Sequence, residues 1–217
     1  METAQIRGIP PDDPRGVDRR RRHRWLLITG AAVLVAISMA GAWKLRYHFL
    51  GRNFRAITPG RIYAGGYQHS IPLARILQEY QIKTVLSLRS SNSSDERDEE
   101  EFLAARGVAH RRVAMDARAP ISDGLALAEQ AVQILADEQN QPLFVHCAGG
   151  MHRAGAVVGV YRVTHCGWSE EEALRELLQY ADDSKYTIWA LSVVREHCRR
   201  RGADADRHDE VVDAGSK

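Results

Sequence analysis

The run Val145-His146-Cys147-Ala148-Gly149-Gly150-Met151-His152-Arg153 constrains this chain more than any other. Before it stands Pro142-Leu143-Phe144-Val145, a short apolar run that reads as a buried strand. After it, Ala154 to Val163 is apolar and rich in small residues and reads as a helix. The chain therefore passes from strand through a tight loop into a helix N-terminus. Glycines let such a loop curl so that successive N–H groups point inward, and the helix start adds partial positive charge, a geometry that binds phosphate. The same field favours a thiolate at Cys147, and the thiolate is the nucleophilic form of cysteine. Arg153, at the end of the loop, can offer a planar fork to two phosphate oxygens.

These residues resemble the signature His-Cys-x-x-Gly-x-x-Arg of the cysteine-based protein tyrosine phosphatase superfamily. His146, Cys147, Gly150 and Arg153 fill its four fixed positions, in the strand–loop–helix context the motif requires. The plain alternative, a buried structural cysteine beside a helix-start arginine, explains neither the spacing nor the context. More loosely, Asn53-Phe54-Arg55, Thr58-Pro59-Gly60-Arg61-Ile62-Tyr63 and Lys83-Thr84-Val85-Leu86-Ser87-Leu88-Arg89 look like the compact, atypical dual-specificity branch, some members of which act on inositol pyrophosphates. The resemblance spans residues 52–200 and implies an α/β fold, a central sheet of about four to five strands flanked by helices. It also implies hydrolysis of a phosphate monoester, carried by a phosphorylated protein or a small molecule, through a phosphocysteine at Cys147. Arg153 and the loop residues Ala148, Gly149, Gly150, Met151 and His152 would bind the phosphate. His146 would help to hold the thiolate. The resemblance implies neither metal nor cofactor, and no metal-ligand pattern is visible in the sequence.

The family's general acid is an Asp on a loop that closes over the pocket. Asp116 fits best, because it follows the strand expected over Val108–Met115 and opens the Ala117-Arg118-Ala119-Pro120 loop. Asp123 is the rival, although a carboxylate in a first helical turn also serves the helix dipole. Two departures from the family pattern stand out. Ala154 occupies the place where Ser or Thr often follows the loop arginine and stabilises the departing thiolate. The variable loop positions carry no Lys or Arg, so charge for a polyphosphorylated ligand would have to come from Arg89, Arg111, Arg112 or Arg118. Ala154, and an acid left between Asp116 and Asp123, make a phosphate-binding pseudophosphatase with little or no turnover the second reading. Sulfur transfer by a rhodanese-like loop fits the His-Cys-x5-Arg spacing less well.

The 217 residues have room for one ordinary domain and an appendage. Three cysteines, Cys147, Cys166 and Cys198, with no CxxC pair, argue against a disulfide framework or a zinc site. Cys166 is expected to pack in the apolar helix after the loop. Residues 1–24 read as a basic disordered segment ending in Arg19-Arg20-Arg21-Arg22-His23-Arg24. Trp25 to Trp43 is uncharged, and at about 1.5 Å per residue it approaches the ~30 Å hydrocarbon core of a bilayer. It reads as a single transmembrane signal anchor, with Trp at each end. A cleaved signal peptide ending near Ala40-Gly41-Ala42 is the rival. The arginines before the span slightly favour an inside N-terminus and a non-cytoplasmic domain, because Lys44, Arg46, Arg52 and Arg55 follow it closely. Beside an apolar span the arginine cluster suits lipid headgroups or topology, so no nucleic-acid partner is expected.

Within residues 52–200 the expected elements alternate. Arg61–Ala64 is a strand, with Gly65-Gly66 turning out of it, and Ile71–Tyr80 is a helix. Ile82–Leu88 is a buried strand, and Ser94–Arg106 is a helix with solvated acids in its first turns, stopped by Gly107. Ser122 is the expected N-cap of a long helix to Gln139, and Ser169-Glu170-Glu171-Glu172 opens another with a capping box. A last helix covers Tyr186–Arg200, and residues 201–217 read as a flexible tail.

Overall fold

The structure, a computed structural model, describes residues 52–90 and 94–214 together with positions 25, 26, 28–31, 33–35 and 38. The chain divides into two units, Met1–Arg46 and Tyr47–Lys217. In the first, the described positions are helical, and Trp25, Leu26, Ile28 and Val33–Val35 are exposed. Among the described residues no helix is long and apolar enough to cross a membrane. The expected basic segment 1–24, the Ala40-Gly41-Ala42 site, Trp43 and several positions inside the expected span lie outside the described residues.

The second unit is built on five strands: β1 (Arg55–Thr58), β2 (Ile62–Gly66), β3 (Thr84–Ser87), β4 (Ala109–Arg112) and β5 (Leu143–Cys147). Their order is β1-β2-β5-β3-β4, with β1 antiparallel to β2 and every other pairing parallel. The central strand β5 is buried along its whole length, as expected of a parallel strand covered on both faces. Alternation along it sorts the core. Leu143, Val145 and Cys147 join the larger cluster under α3 (Ile121–Ala136), α4 (His152–His165), α5 (Glu170–Leu178) and α6 (Lys185–Ala214). Phe144 points the other way, into a cluster with α1 (Ser70–Glu79) and Leu103 of α2 (Ser94–Ala104).

α4 shows why the motif helix is so apolar. Eight consecutive residues, Ala154–Tyr161, are buried, because α4 is enclosed by the sheet, α3, α5 and α6. Small residues let its neighbours approach closely: a Cβ at Gly159 would stand 2.7 Å from Val194 Cγ2.

Several expectations shift. Gly65 and Gly66 do not turn out of β2. They pair with His146 and Cys147, and a Cβ at Gly66 would stand 2.9 Å from the Gly149 carbonyl carbon, so glycine there admits the loop. β1 escapes the periodicity argument because only Ile57 of its four residues is buried. Pro120 takes the N-cap position of α3 with no side-chain cap bond, while Ser122 Oγ donates to Asp123 Oδ1 at 3.1 Å. α3 stops at Ala136, since Asp137 caps a short 3-10 turn, Glu138–Asn140. The Ser169 capping box forms as expected. Cys166 is exposed at the C-cap of α4 and does not pack within the helix. α6 continues through the expected tail to Ala214, a stretch without proline and with several good helix formers.

Candidate active site

The motif loop begins at Cys147, where β5 ends, and Met151 caps α4, so His152 and Arg153 already belong to the first helical turn. Cys147 is 2% exposed, and its Sγ accepts the Gly150 N–H at 3.2 Å. The loop is held from outside by its carbonyls. Tyr67 N–H donates to Cys147 O at 2.7 Å, Asn53 Nδ2 to Gly149 O at 2.7 Å, and an Arg55 guanidinium N–H to Gly150 O at 2.9 Å. A trans peptide points its N–H opposite to its carbonyl. Pulling these oxygens outward therefore turns the N–H groups of Ala148, Gly150 and Met151 inward, the arrangement an anion needs. Arg55 is itself braced 4.0 Å over the Tyr180 ring.

Gly150 makes the curl possible. Its φ is +76°, and a Cβ there would lie 2.3 Å from Gly65 C and Gly66 N. Both the left-handed conformation and the contact with β2 exclude a side chain.

Arg153 is positioned by two carbonyls. One of its guanidinium nitrogens donates to Leu88 O and to Met115 O, each at 3.2 Å. These carbonyls follow β3 and β4, so the arginine is held at the carboxyl end of the sheet, beside the end of β5 that carries Cys147. Met115 is followed directly by Asp116. The Asp116 carboxylate accepts from Arg118 N and Nε at 3.0 and 3.1 Å and from a second guanidinium nitrogen at 3.3 Å. Hydrogen bonding from Arg118, with a smaller contribution from the Arg153 charge, holds Asp116 below the usual carboxylate range. Asp123 lies exposed in the first turn of α3, bonded to its neighbour Ser122.

His146 is fully buried, with its Nε2 3.2 Å from Glu99 Oε2. His152 Nε2 stands 2.8 Å from Asp182 Oδ1 and 3.3 Å from Ser184 Oγ, which ties the loop to the segment before α6. The Ser184 hydroxyl and then His152 keep the Asp182 carboxyl low. Ala154 is fully buried in α4. Of the arginines considered for extra charge, Arg118 lies on Asp116, Arg89 packs 4.5 Å over the Tyr67 ring, and Arg112 Nε is 3.5 Å from Glu96 Oε1. Arg111 lines a hollow with Gln133, Ile134, Asp137 and Asn140, away from these contacts.

Sequence reasoning missed Glu96 and Glu99. Read as solvated acids, they are 4% and 3% exposed. With His110 they bring ligand-type atoms within 4.8 Å of one another. Arg89 and Arg112, 3.7 and 3.5 Å from the Glu96 carboxylate, already supply positive charge there and suit a cation poorly.

A sequence model described as the tyrosine phosphatase family matches residues 50–191. The chain belongs to that family. This phosphatase is 28% identical over 194 residues to the dual specificity protein phosphatase TpbA of Pseudomonas aeruginosa, covering 84% of the present chain and 82% of TpbA. Its fold resembles the Siw14 catalytic core, with TM-score 0.58 and 19% identity over 71% of this chain and 93% of that one. A related solved structure describes Siw14 as a PP-IP phosphatase from S. cerevisiae. The structure of P. aeruginosa TpbA in complex with pTyr aligns with TM-score 0.53 and 24% identity over 66% of this chain and 83% of that one. The chain is thus a cysteine-based, atypical dual-specificity phosphatase-like protein, a phosphoric monoester hydrolase.

Proposed function

We propose that this phosphatase hydrolyses phosphate monoesters, on proteins or on small molecules, through a phosphocysteine at Cys147. The observation that carries the proposal is the loop itself: a buried sulfur accepting a loop N–H, carbonyls drawn outward, and Arg153 held at the same end of the sheet. In the first step Cys147 Sγ attacks phosphorus, the bond to the leaving oxygen breaks, and Asp116 supplies that oxygen with a proton. In the second, water attacks phosphorus, the S–P bond breaks, and Asp116 takes the water's proton as inorganic phosphate leaves. Arg153 and the loop N–H groups balance the equatorial oxygens throughout.

Asp116 must be protonated to act first as an acid, yet Arg118 favours its ionised form. Activity that needs the protonated acid is lost as pH rises through its pKa, so a depressed pKa brings the alkaline limb to lower pH. Arg118→Ala is expected to move the alkaline limb of the kcat/KM–pH profile to higher pH. An unmoved limb would assign the acid elsewhere, with Asp123 the next candidate.

Ala154 bears on the second step. A hydroxyl there would stabilise the departing thiolate, and such a bond to a charged group contributes about 1.5–3 kcal/mol, or about one to two decades of rate. Breakdown of the phosphocysteine is therefore expected to limit turnover. Rapid mixing with an aryl phosphate should release a burst of leaving group close to one per active site. Ala154→Ser should raise the steady-state rate and shrink the burst, with kcat/KM nearly unchanged. A linear time course and no gain from serine would mean that another donor fills the role. The same alanine supports the second reading, a phosphate-binding pseudophosphatase, for which neither burst nor turnover is expected.

The uncharged run Trp25–Trp43, preceded by arginines, supports a further part of the proposal, a single-pass membrane anchor with the phosphatase domain on the non-cytoplasmic side. Release of the full chain from membranes by a high-salt wash would count against the anchor.

A further inference from the structure

Along β5 successive side chains alternate, so His146 shares the face of Phe144 and stacks on it at 5.5 Å, while Cys147 faces α4. Across from His146 lies α2. Glu96, Glu99 and Leu103 fall on one stripe of that helix, and all three are buried. Glu96 is served: Ser87 Oγ donates to it at 2.7 Å, and Arg89 and Arg112 stand beside it. Glu99 is not. Among the described residues, neither of its oxygens has an aligned donor, and neither ring nitrogen of His146 has a hydrogen-bond partner. A buried carboxylate without a donor is costly. Among the described residues, the basic groups close to it are His146 Nε2 at 3.2 Å and, on β4, His110 Nε2 at 3.9 Å. The first distance is within hydrogen-bond range.

We propose that Glu99 is a positioning residue for the reaction: its carboxylate accepts the Nε2–H of His146 and so fixes the tautomer and the orientation of the ring behind the nucleophile. His110 Nε2 stands 3.9 Å from the same oxygen, Oε2. The consequence reaches both halves of the phosphate site. The His146 backbone continues directly into Cys147, and its carbonyl accepts the Leu88 N–H at 2.8 Å. The Leu88 carbonyl in turn holds Arg153 at 3.2 Å. A ring free to turn would loosen sulfur and guanidinium together.

The inference rests on Cys147 as the nucleophile, and its test has one arm that needs no turnover. In the full-length protein with 15N-labelled histidine, the His146 ring is expected to show a protonated Nε2 bonded to an acceptor. An Nδ1–H tautomer in the wild type would overturn the proposal, whatever the variants do. In the second arm, Glu99→Leu removes the acceptor at similar volume and Glu99→Gln retains one. The leucine variant should lose about 10–100-fold in kcat/KM, the size of a misplacement of about 1 Å. Its inhibition constant for inorganic phosphate should rise by more than about two-fold as Arg153 loosens, and glutamine should restore most of the rate. A folded Glu99→Leu protein with unchanged kcat/KM, or a glutamine variant as slow as leucine, would overturn it. Should the leucine variant not fold, the wild-type tautomer still decides.

Discussion

Replacing Cys147 by serine is expected to lower kcat by about 10⁴-fold or more, while the protein still binds phosphate. The sulfur is 2% exposed and sits under the Gly150 N–H. A hydroxyl fits the same space and accepts the same hydrogen bond, so the loop should keep its shape. What changes is the nucleophile, because a serine hydroxyl is hardly ionised near neutral pH whereas a thiol is readily activated. The inhibition constant for inorganic phosphate, measured by competition on the wild type and by direct binding on the variant, should agree within about three-fold, since the loop N–H groups and Arg153 are untouched. More than a trace of metal-independent turnover in the serine variant would show that Cys147 is not the attacking group.

A second large effect is expected from Gly150→Ala, which removes no reacting group. Two costs combine: a left-handed φ of +76° for a residue with a Cβ, and a Cβ 2.3 Å from the β2 backbone. Each is worth about 1–3 kcal/mol. The strand cannot retreat, because β2 is paired with both β1 and β5. The loop must move instead, and with it the N–H that serves Cys147. We expect kcat/KM to fall by at least about 10²-fold, with Tm lower by about 2–4 °C for each kcal/mol lost. Gly107→Ala is the control. Its φ is +68°, but a Cβ there meets nothing within 4 Å. It should show the backbone cost in Tm and leave kcat/KM intact. Equal activity losses in the two variants would mean that the contact with β2 does not shape the loop.

What the chain reveals in its linear order is what is local. The phosphate loop is legible because β5, the glycines and Arg153 are consecutive, so one short run carries strand, curl and helix start. The Ser169 capping box is legible for the same reason: donor and acceptor lie three residues apart. The supports of the site are not local. Asn53 and Arg55 reach Gly149 and Gly150 from a stretch that looks unremarkable by periodicity, and Asp182 meets His152 from beyond α5. The acidic opening of α2 is the sharpest case. Asp95, Glu96, Asp98 and Glu99 read as a solvated face, and burial of Glu96 and Glu99 becomes sensible only once Ser87, Arg89, Arg112, His110 and His146 converge from three strands. Gly65-Gly66 misleads in a related way. Glycine in a strand reads as a turn, but here it makes room for another piece of backbone.

The central claim is a covalent one, and trapping tests it most directly. The full-length protein is mixed with an aryl phosphate, quenched in acid within the burst, digested, and read by mass spectrometry. The predicted result is a phosphoryl group on the Cys147 peptide, abundant in the wild type, scarcer in Ala154→Ser and absent from Cys147→Ser. Steady turnover with an unmodified Cys147 peptide at every quench time, or a phosphoryl group on another residue, would contradict it.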